Sequence, residues 1–530
     1  MRFSIHLAVG ALLVGAALPG TAHAQRTLDS TTLPTRAEAS GWTETSRYDD
    51  VVAFLETVVA RRADMHLVSM GYTQEGRSIP MVVVGASDPS PEAVRASGKL
   101  RVYLQGNIHG GEVPGKEALQ MLLRDLATGA APASWTDDLV LLVTPIYNSD
   151  GNERVLLTNR PRQHGPLAGM GQRPNAMGLD LNRDHMKLDS PEARSVVGMM
   201  NRYDPHISVD LHTTNGSRHG YYLTYSPPLH PGVAGAVDDL LRGRALPSVS
   251  EGVFETHGWH TYYYGNTRRT PDGEMGWYTF DHRPRFNNNY IGLRNRLAIL
   301  GEAYSYATFE DRVMATRWFV DEILDWAVAD ADRVRAAVTA ADASAVGERL
   351  PTRATFAAAD TLSTILMGEV DEEKNPWSGQ TILRRRDVLI PTQMREYGTF
   401  SATDTETVPS IYFVPPEVAP ALDRLQAHGV VGSVLEEPLT VTVEVFAIDS
   451  TSVSPREFQG HNEVELFGGW SSEERTLPVG TLRVDVSQPL GRLAFYLLEP
   501  RSDDGLANWA LLDRFLEDGE YPILRVPAGR

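Results

Sequence analysis

The chain has 530 residues, a formal net charge of −19 and no cysteine. This acidic balance argues against nucleic acid or an anionic membrane as a partner, because both bind basic surfaces. The lack of cysteine excludes disulfides, thiol catalysis, a lipid-carrying N-terminal cysteine and cysteine-based structural zinc. A chain of this length suggests two or three domains with sizeable cores.

The first 24 residues have the pattern of a secretory signal peptide. Met1-Arg2 gives a positive start, an apolar stretch runs from Leu7 to Leu18, and Thr21-Ala-His-Ala24 has the small residues of a cleavage site. The stretch is too short to span a bilayer well. We therefore expect cleavage before Gln25 and export of a mature chain without a membrane anchor, either to a periplasm or to the outside of the cell.

The first part of the mature chain alternates between helical and strand-like patterns. An amphipathic helix is predicted over residues 47–60, with Ser46 as a possible N-cap, and a second helix over Lys116–Leu126. The strand-like runs are His66–Tyr72, Ile79–Gly85, Leu100–Gln105, Leu139–Pro145 and Leu297–Leu300. This alternation predicts an α/β fold with a largely parallel sheet, in which ligands bind beyond the carboxyl ends of the strands.

The pattern changes near residue 345. A long helical segment is predicted over 309–340, and alternating, β-branched runs then dominate. These runs are Val441–Ile448, Thr476–Val486 and Leu493–Leu498. We predict a catalytic domain over residues 25–345 and a smaller β-rich domain over 346–530, whose role the sequence leaves open. The one basic run, Arg384-Arg385-Arg386, is interpreted as a solvated face.

Three metal-binding residue types stand at the ends of strand-like runs. His109 and Glu112 follow Leu100–Gln105 with two glycines between them, which favours a turn that brings both side chains to one ion. His212 closes the run that begins at Ile207. Two imidazoles and one carboxylate, with a fourth position open, are the ligands of a catalytic zinc.

These residues belong to a longer series of motifs that resembles the zinc carboxypeptidase family, the carboxypeptidase A/B-like metallopeptidases. The series covers roughly residues 40–330. In chain order it comprises Gly71-Tyr-Thr-Gln-Glu-Gly-Arg77, His109-x-x-Glu112, Asn148-Ser-Asp-Gly151, Arg173, Gly178-Leu-Asp-Leu-Asn-Arg183, His212 and a Glu after a late strand. The resemblance implies a doubly wound, mixed and mostly parallel sheet with helices on both faces, and one Zn²⁺ per chain.

The resemblance also implies roles for residues around the metal. His109, Glu112 and His212 would be the ligands, and Asp180 the carboxylate that orients the first histidine. Arg173 stands nine positions before Asn182, the spacing at which many bacterial members carry the oxyanion-stabilising arginine. Arg160 and Arg162 compete for that role. Asn182 and Arg183 resemble the pair that binds a peptide's C-terminal carboxylate, for which the guanidinium fork is suited.

The general base should be a glutamate at the close of a late strand. Glu302 fits best, and Glu310 is the alternative, although its setting resembles a helix start. Tyr278 and Tyr290 are both candidates for the family's mobile tyrosine, and the sequence does not choose between them. Ser149 replaces the usual proline of the Asn-Pro-Asp-Gly motif. Asp184-His185 replaces the pair that usually follows Asn-Arg, and His185 is interpreted as a surface or supporting residue.

The motifs predict an exported zinc metallocarboxypeptidase that hydrolyses C-terminal peptide bonds of peptides with a free carboxylate. An alternative is a zinc amidohydrolase acting on cell-wall peptides or acyl-amino acids, because such relatives share the ligands and the arginines. A third interpretation is an inactive peptide-binding protein. Side-chain preference, natural substrate and oligomeric state are not predicted.

Overall fold

A computed structural model describes residues 33–214, 216–516 and 518–529. The expected signal peptide lies outside these residues. Within the described part of the chain, no helix is long and apolar enough to cross a membrane. From Thr35 onward, the described residues form one compact unit.

Helices and strands alternate through the first part of the chain, and strands dominate the last part. The helices are α1 (Arg36–Ala39), α2 (Tyr48–Val59), α3 (Pro91–Ala96), α4 (Pro114–Thr128), α5 (Ser134–Asp138), α6 (Ser149–Glu153), α7 (Pro191–Tyr203), α8 (Gly235–Leu240), α9 (Leu246–His257), α10 (Asn287–Leu293), α11 (Phe309–Ala329), α12 (Ala331–Ala341), α13 (Ala419–His428) and α14 (Gly491–Leu498). Single turns of 3₁₀ helix cover Leu181–Arg183 and Asp513–Phe515, and a π-helical turn covers Leu241–Ala245.

The strands of the first part are β1 (Met65–Tyr72), β2 (Ser78–Val84), β3 (Leu100–Gly106), β4 (Leu139–Thr144), β5 (Ile207–Thr213), β6 (Leu223–Ser226), β7 (Thr261–Tyr263), β8 (Asn266–Arg269), β9 (Met275–Tyr278) and β10 (Leu297–Ala303). Those of the last part are β11 (Arg349–Ala357), β12 (Leu362–Met367), β13 (Val370–Lys374), β14 (Thr381–Arg385), β15 (Ile390–Tyr397), β16 (Thr399–Thr407), β17 (Ile411–Val414), β18 (Ser433–Val434), β19 (Leu439–Val453), β20 (Val464–Leu477), β21 (Leu482–Asp485) and β22 (Leu524–Val526).

The predicted α/β fold is confirmed by an eight-stranded mixed sheet with the order β1-β2-β4-β3-β5-β10-β6-β7. Its centre, β4-β3-β5-β10, is parallel, and β1, β2 and β6 join in antiparallel pairs. All residues of β3, β4 and β5 are buried, as expected for central strands covered on both faces. The carboxyl ends of β3, β5 and β10 therefore meet at one edge of the sheet.

Helices cover both faces of this sheet. On one face, Leu211 of β5 packs against Gly115 of α4, and Gly301 of β10 lies close to Phe319 of α11. On the other face, residues of β3 and β10 share a core cluster with α7 and α10. Since side chains alternate along a strand and Glu302 pairs in register with His212, both side chains lie on this second face.

The last part of the chain is rich in antiparallel strands, as predicted. A six-stranded sheet has the order β18-β21-β17-β22-β19-β20, and β15 adds in parallel to β9 of the first part. One core cluster contains residues from both parts. The boundary between residues 345 and 346 remains a prediction, since both parts share a sheet and a core.

Three local interpretations differ from the structure. Leu493–Leu498 is not a strand but most of the buried helix α14, because a short run buried on every side carries no period that separates helix from strand. The single helix expected over 309–340 is two helices that meet at Asp330. Arg385 is not solvated: its side chain is 6% exposed, it lies 3.9 Å from the Tyr222 ring centroid, and it donates to the Gly220 carbonyl.

Candidate metal centre and active site

A tight turn between β3 and α4 carries His109 and Glu112. Asn107 has a φ of 67° and its amide donates to the carbonyls of His109, Gly110 and Glu112, which closes the turn. A side chain at Gly110 would meet the backbone of Gly151 at 2.3 Å. The glycine pair is therefore required by close backbone packing as well as by the turn.

The fold brings His109, Glu112 and His212 together. One possible ligand atom from each lies within 4.8 Å of the others, and all three residues are buried. Glu112 bridges the histidines: Oε1 lies 3.0 Å from Nδ1 of His109, and Oε2 lies 3.0 Å from Nδ1 of His212. The Thr213 N–H also donates to Oε2 at 3.1 Å. His109, Glu112 and His212 form the only group of possible metal ligands among the described residues.

The outer nitrogen of each histidine is held by a carboxylate. Nε2 of His109 lies 3.0 Å from Asp180 Oδ1, and Nε2 of His212 lies 2.8 Å from Asp210 Oδ2. Nδ1 of His109 is buried, and its 3.0 Å contact with Glu112 Oε1 does not have hydrogen-bond geometry. A carboxylate on one ring nitrogen and a free lone pair on the other are what a metal-binding histidine needs. The donor set therefore fits a zinc ion bound by both Nδ1 atoms and Glu112.

The charges around Glu112 keep it ionised. Burial alone would raise its pKa, but His109, Arg160 and His212 hold the pKa well below its usual range. Arg160 Nη2 lies 2.7 Å from Glu112 Oε1, whereas Arg173 Nη1 lies 3.6 Å from the same oxygen. Arg162, the third arginine considered, is exposed, and its backbone carbonyl accepts from Leu383.

Glu302 lies beside this cluster at the end of β10, directly opposite His212. Its Oε2 is buried without a hydrogen-bond partner. Burial, with smaller contributions from Glu112 and Asp210, raises the pKa of Glu302 to about 8, against the opposing effects of His212 and Arg173. A cation bound at the neighbouring ligands would favour its carboxylate form. Glu310, the alternative base, is exposed in the first turn of α11.

Asp180 connects His109 to Arg173 and to the turn that carries Asn182. Its Oδ2 accepts from Arg173 Nε at 2.9 Å, and Oδ1 accepts from the Asn182 N–H at 2.9 Å. Asn182 Oδ1 is occupied by the Asn287 N–H at 2.7 Å, so its amide group can donate elsewhere. The Arg183 guanidinium lies 3.7 Å from the Phe286 ring centroid and is held by the Asn182 carbonyl at 2.6 Å.

Tyr264, which the sequence analysis missed, feels the charges of the site. Burial, followed by the charge of Glu302, raises its pKa, and Glu112 and Arg173 also act on it. Tyr278 stacks on Tyr397 at 4.0 Å, and the Tyr290 hydroxyl hydrogen-bonds to His428 at 2.8 Å. Both of the tyrosines considered from the sequence are thus packed in other contacts.

His185 is buried, with its Nε2 3.0 Å from Asn287 Nδ2 and its ring against Tyr290. Burial lowers its pKa to about 4, so the ring is neutral at pH 7. Because Asn287 also holds Asn182, His185 supports the Asn182 loop from behind. The supporting role expected for His185 agrees with this position, whereas a surface position does not.

A cleft of about 290 Å³ adjoins Tyr264. Most of its aromatic lining comes from β6, β7 and the residue after β7, and its other wall comes from the last part of the chain. The lining includes Tyr225, Tyr262, Tyr263, Tyr264, Arg242, Glu396 and Thr399. The Tyr262 hydroxyl donates to Glu396 at 2.8 Å.

Asp210 and Asn107 are further site residues that the sequence analysis missed. Asp210 could have been found, because it stands two residues before His212 on the same strand and so on the same face. An asparagine directly before the turn is a weaker signal, since asparagine tolerates a positive φ in many loops. Tyr264 had no local signal.

Comparison with known proteins agrees with this geometry. Residues 51–226 match the family described as zinc carboxypeptidase, Peptidase_M14. Carboxypeptidase 2 of Trichophyton tonsurans is 25% identical over 482 residues, covering 86% of this chain and 81% of that protein. Carboxypeptidase E of Caenorhabditis elegans is 32% identical over 192 residues, covering 35% of this chain and 39% of that protein.

Among solved structures, a metallo-carboxypeptidase from Burkholderia cenocepacia shares 17% identity with a TM-score of 0.41, over 54% of this chain and 70% of that one. The buried His109–Glu112–His212 group can hold a metal ion. With the match of residues 51–226 to the zinc carboxypeptidase model, the chain is a zinc-dependent metallopeptidase of the carboxypeptidase type. The curated relatives named here are fungal and animal proteins, so bacterial origin remains a prediction.

Proposed function

We propose that the protein is an exported metallocarboxypeptidase that removes residues from the free C-terminus of peptides. The observation that carries this proposal is the arrangement around Asp180. One carboxylate contacts a metal-ligand histidine, His109, and also Arg173, and it begins the 3₁₀ turn that carries Asn182 and Arg183. In this proposal Asp180 therefore positions both a metal ligand, His109, and the carboxylate-binding pair, Asn182 and Arg183.

In this proposal His109, Glu112 and His212 hold the zinc ion. When bound there, zinc would polarise the scissile carbonyl and lower the pKa of a coordinated water. Arg183 and Asn182 bind the C-terminal carboxylate and so place the last peptide bond beside Glu302. Binding the carboxylate at a fixed place is what makes the enzyme release residues from the C-terminus only.

Glu302 moves the proton. As a carboxylate it takes a proton from the water whose oxygen attacks the scissile carbonyl carbon. It then passes that proton to the leaving nitrogen as the C–N bond breaks, giving a carboxylate and a free amino acid. Arg173, whose side chain is 38% exposed at the rim, donates to the carbonyl oxygen as negative charge develops on it.

The cleft beside Tyr264 is our candidate for the side chain of the released residue. Tyr264 lines the cleft and also lies in the field of Glu302 and Arg173. Its walls are aromatic with charged groups, Arg242 and Glu396, at separate points. Pockets of this kind hold a side chain by apolar contact and orient it with few polar groups.

The test is to incubate the mature protein with a peptide library and identify the products by mass spectrometry. Stepwise loss from the C-terminus supports the proposal and reports side-chain preference in the same experiment. Internal or N-terminal cleavage would contradict it. Export is tested separately: the secreted or periplasmic protein should begin at Gln25 on N-terminal sequencing, and an intracellular chain that retains Met1 would contradict this part.

A further inference from the structure

We propose that Gln459, from the last part of the chain, is a positioning residue for the metal centre. It acts through Asp180, whose backbone N–H donates to Gln459 Oε1 at 2.8 Å. The two residues are 279 positions apart. The predicted effect of Gln459 on peptide cleavage rests on the proposed function. Its predicted effect on zinc affinity does not depend on which substrate the protein cleaves.

Asp180 is the point where the parts of the site meet. Its carboxylate contacts His109 Nε2 at 3.0 Å, the Asn182 N–H at 2.9 Å and Arg173 at 2.8 Å. On the backbone of Asp180, the carbonyl accepts from the Arg183 N–H at 2.9 Å. The N–H on its other side donates to Gln459, so Gln459 helps to fix the direction from which the carboxylate reaches His109.

The loop that carries Gln459 is itself held firmly. It connects β19 to β20, and Phe458 and His461 close it through two backbone hydrogen bonds of 2.7 and 3.1 Å. His461 Nε2 lies 2.7 Å from Asp189, and Glu463 lies 2.6 Å from Arg285. Both contacts reach residues of the first part of the chain. The loop is therefore anchored to the first part of the chain just after Gln459 and can hold Asp180 in place.

The chemistry explains why this matters for zinc. A carboxylate on Nε2 selects the tautomer with a free Nδ1 and fixes the orientation of the ring, and loss of such partners commonly weakens metal binding. Gln459 contacts Asp180 and not His109 itself, so its removal should weaken zinc binding less than the removal of Asp180. The loss of one hydrogen bond between uncharged groups corresponds to a change of about two- to tenfold.

The experiment compares Gln459→Met with Gln459→Glu in the full mature chain. Met keeps the length of the side chain but loses the acceptor oxygen, whereas Glu keeps an acceptor. Glu457→Ala, at an exposed position of the same loop, is the matched control. Zinc affinity is measured by competition with a chromogenic chelator, the melting temperature on zinc-free protein, and kcat and KM on a blocked dipeptide.

We expect Gln459→Met to bind zinc about two- to tenfold more weakly and to lower kcat by a similar factor, with little change in KM or in the zinc-free melting temperature. Gln459→Glu should keep the zinc affinity of the unmutated protein, and Glu457→Ala should match the unmutated protein in zinc affinity, kcat and KM. Unchanged zinc affinity in Gln459→Met would overturn the proposal. So would a lower melting temperature in both Gln459 variants with normal zinc affinity, because Gln459 would then be only a structural contact. If no variant cleaves peptides, the proposed function fails while the zinc measurement still tests Gln459.

Discussion

Removal of the Arg183 guanidinium tests whether this protein recognises a free C-terminus. Arg183 is held in place by the Asn182 carbonyl at 2.6 Å and by the Phe286 ring at 3.7 Å. A guanidinium has five N–H donors, and the hydrogen bond described for this side chain uses one of them. Burial lowers the pKa of Arg183 to about 10, so it is charged at neutral pH and can receive a carboxylate.

The size of the effect follows from the contact that is lost. A hydrogen bond to a charged group contributes about 1.5–3 kcal/mol, which corresponds to about ten- to a hundredfold in kcat/KM. The unmutated enzyme should therefore prefer a peptide acid over the same peptide amide by about that factor. Arg183→Ala should reduce the preference to near one. Arg183→Lys should retain part of it, because a lysine keeps the charge but not the two-pronged geometry.

The assay measures kcat/KM for a blocked peptide acid and its amide by chromatography and mass spectrometry, with zinc content determined for each variant. Arg162→Ala removes an exposed arginine of the same region and is the control. Equal cleavage of acid and amide by the unmutated enzyme would refute the assignment of Asn182 and Arg183. The broader zinc amidohydrolase alternative would then be preferred.

Four further results are expected. Glu302→Gln should retain zinc but lose at least about a hundredfold in kcat, and near-normal turnover would remove the base role from Glu302. His109→Ala or chelation should abolish activity without unfolding the chain by circular dichroism, since many other contacts hold a domain of this size. Asp504→Ala should destabilise by about 3 kcal/mol in urea unfolding, because the buried Arg285 loses the carboxylate 2.7 Å away and keeps only Glu463 at 2.6 Å. Arg285→Met combined with Asp504→Leu should recover much of the loss. Burial lowers the pKa of His219 from 6.5 to about 3, so the ring's contribution to the free energy of unfolding is complete above pH 6.5. It is lost by about 1.4 kcal/mol per pH unit as the pH falls towards 3. His219→Phe should flatten the pH dependence of the urea midpoint between pH 7 and 5, and an unchanged slope would contradict this.

The sequence alone was sufficient for features whose causes lie close together in the chain. Apolar runs predicted β3, β4 and β10, and the glycines between His109 and Glu112 predicted a turn. Strand-end positions also predicted that His109, Glu112 and His212 would converge, because parallel strands end at one edge of a sheet. Each of these inferences depends on periodicity or on turn geometry over a few residues.

Tertiary structure alone decided the features that depend on packing between distant segments. It put Tyr264 in a cleft and in the field of Glu302, and it packed Tyr278 on Tyr397 and Tyr290 on His428. Nothing in the local sequence tells a packed aromatic ring from one beside a cavity. It made Leu493–Leu498 a helix and buried Arg385, since burial on all sides removes the periodic signal and a single arginine can find partners in other strands. The contact between Gln459 and Asp180 spans 279 positions, and only the folded chain brings that oxygen to the backbone that orients His109.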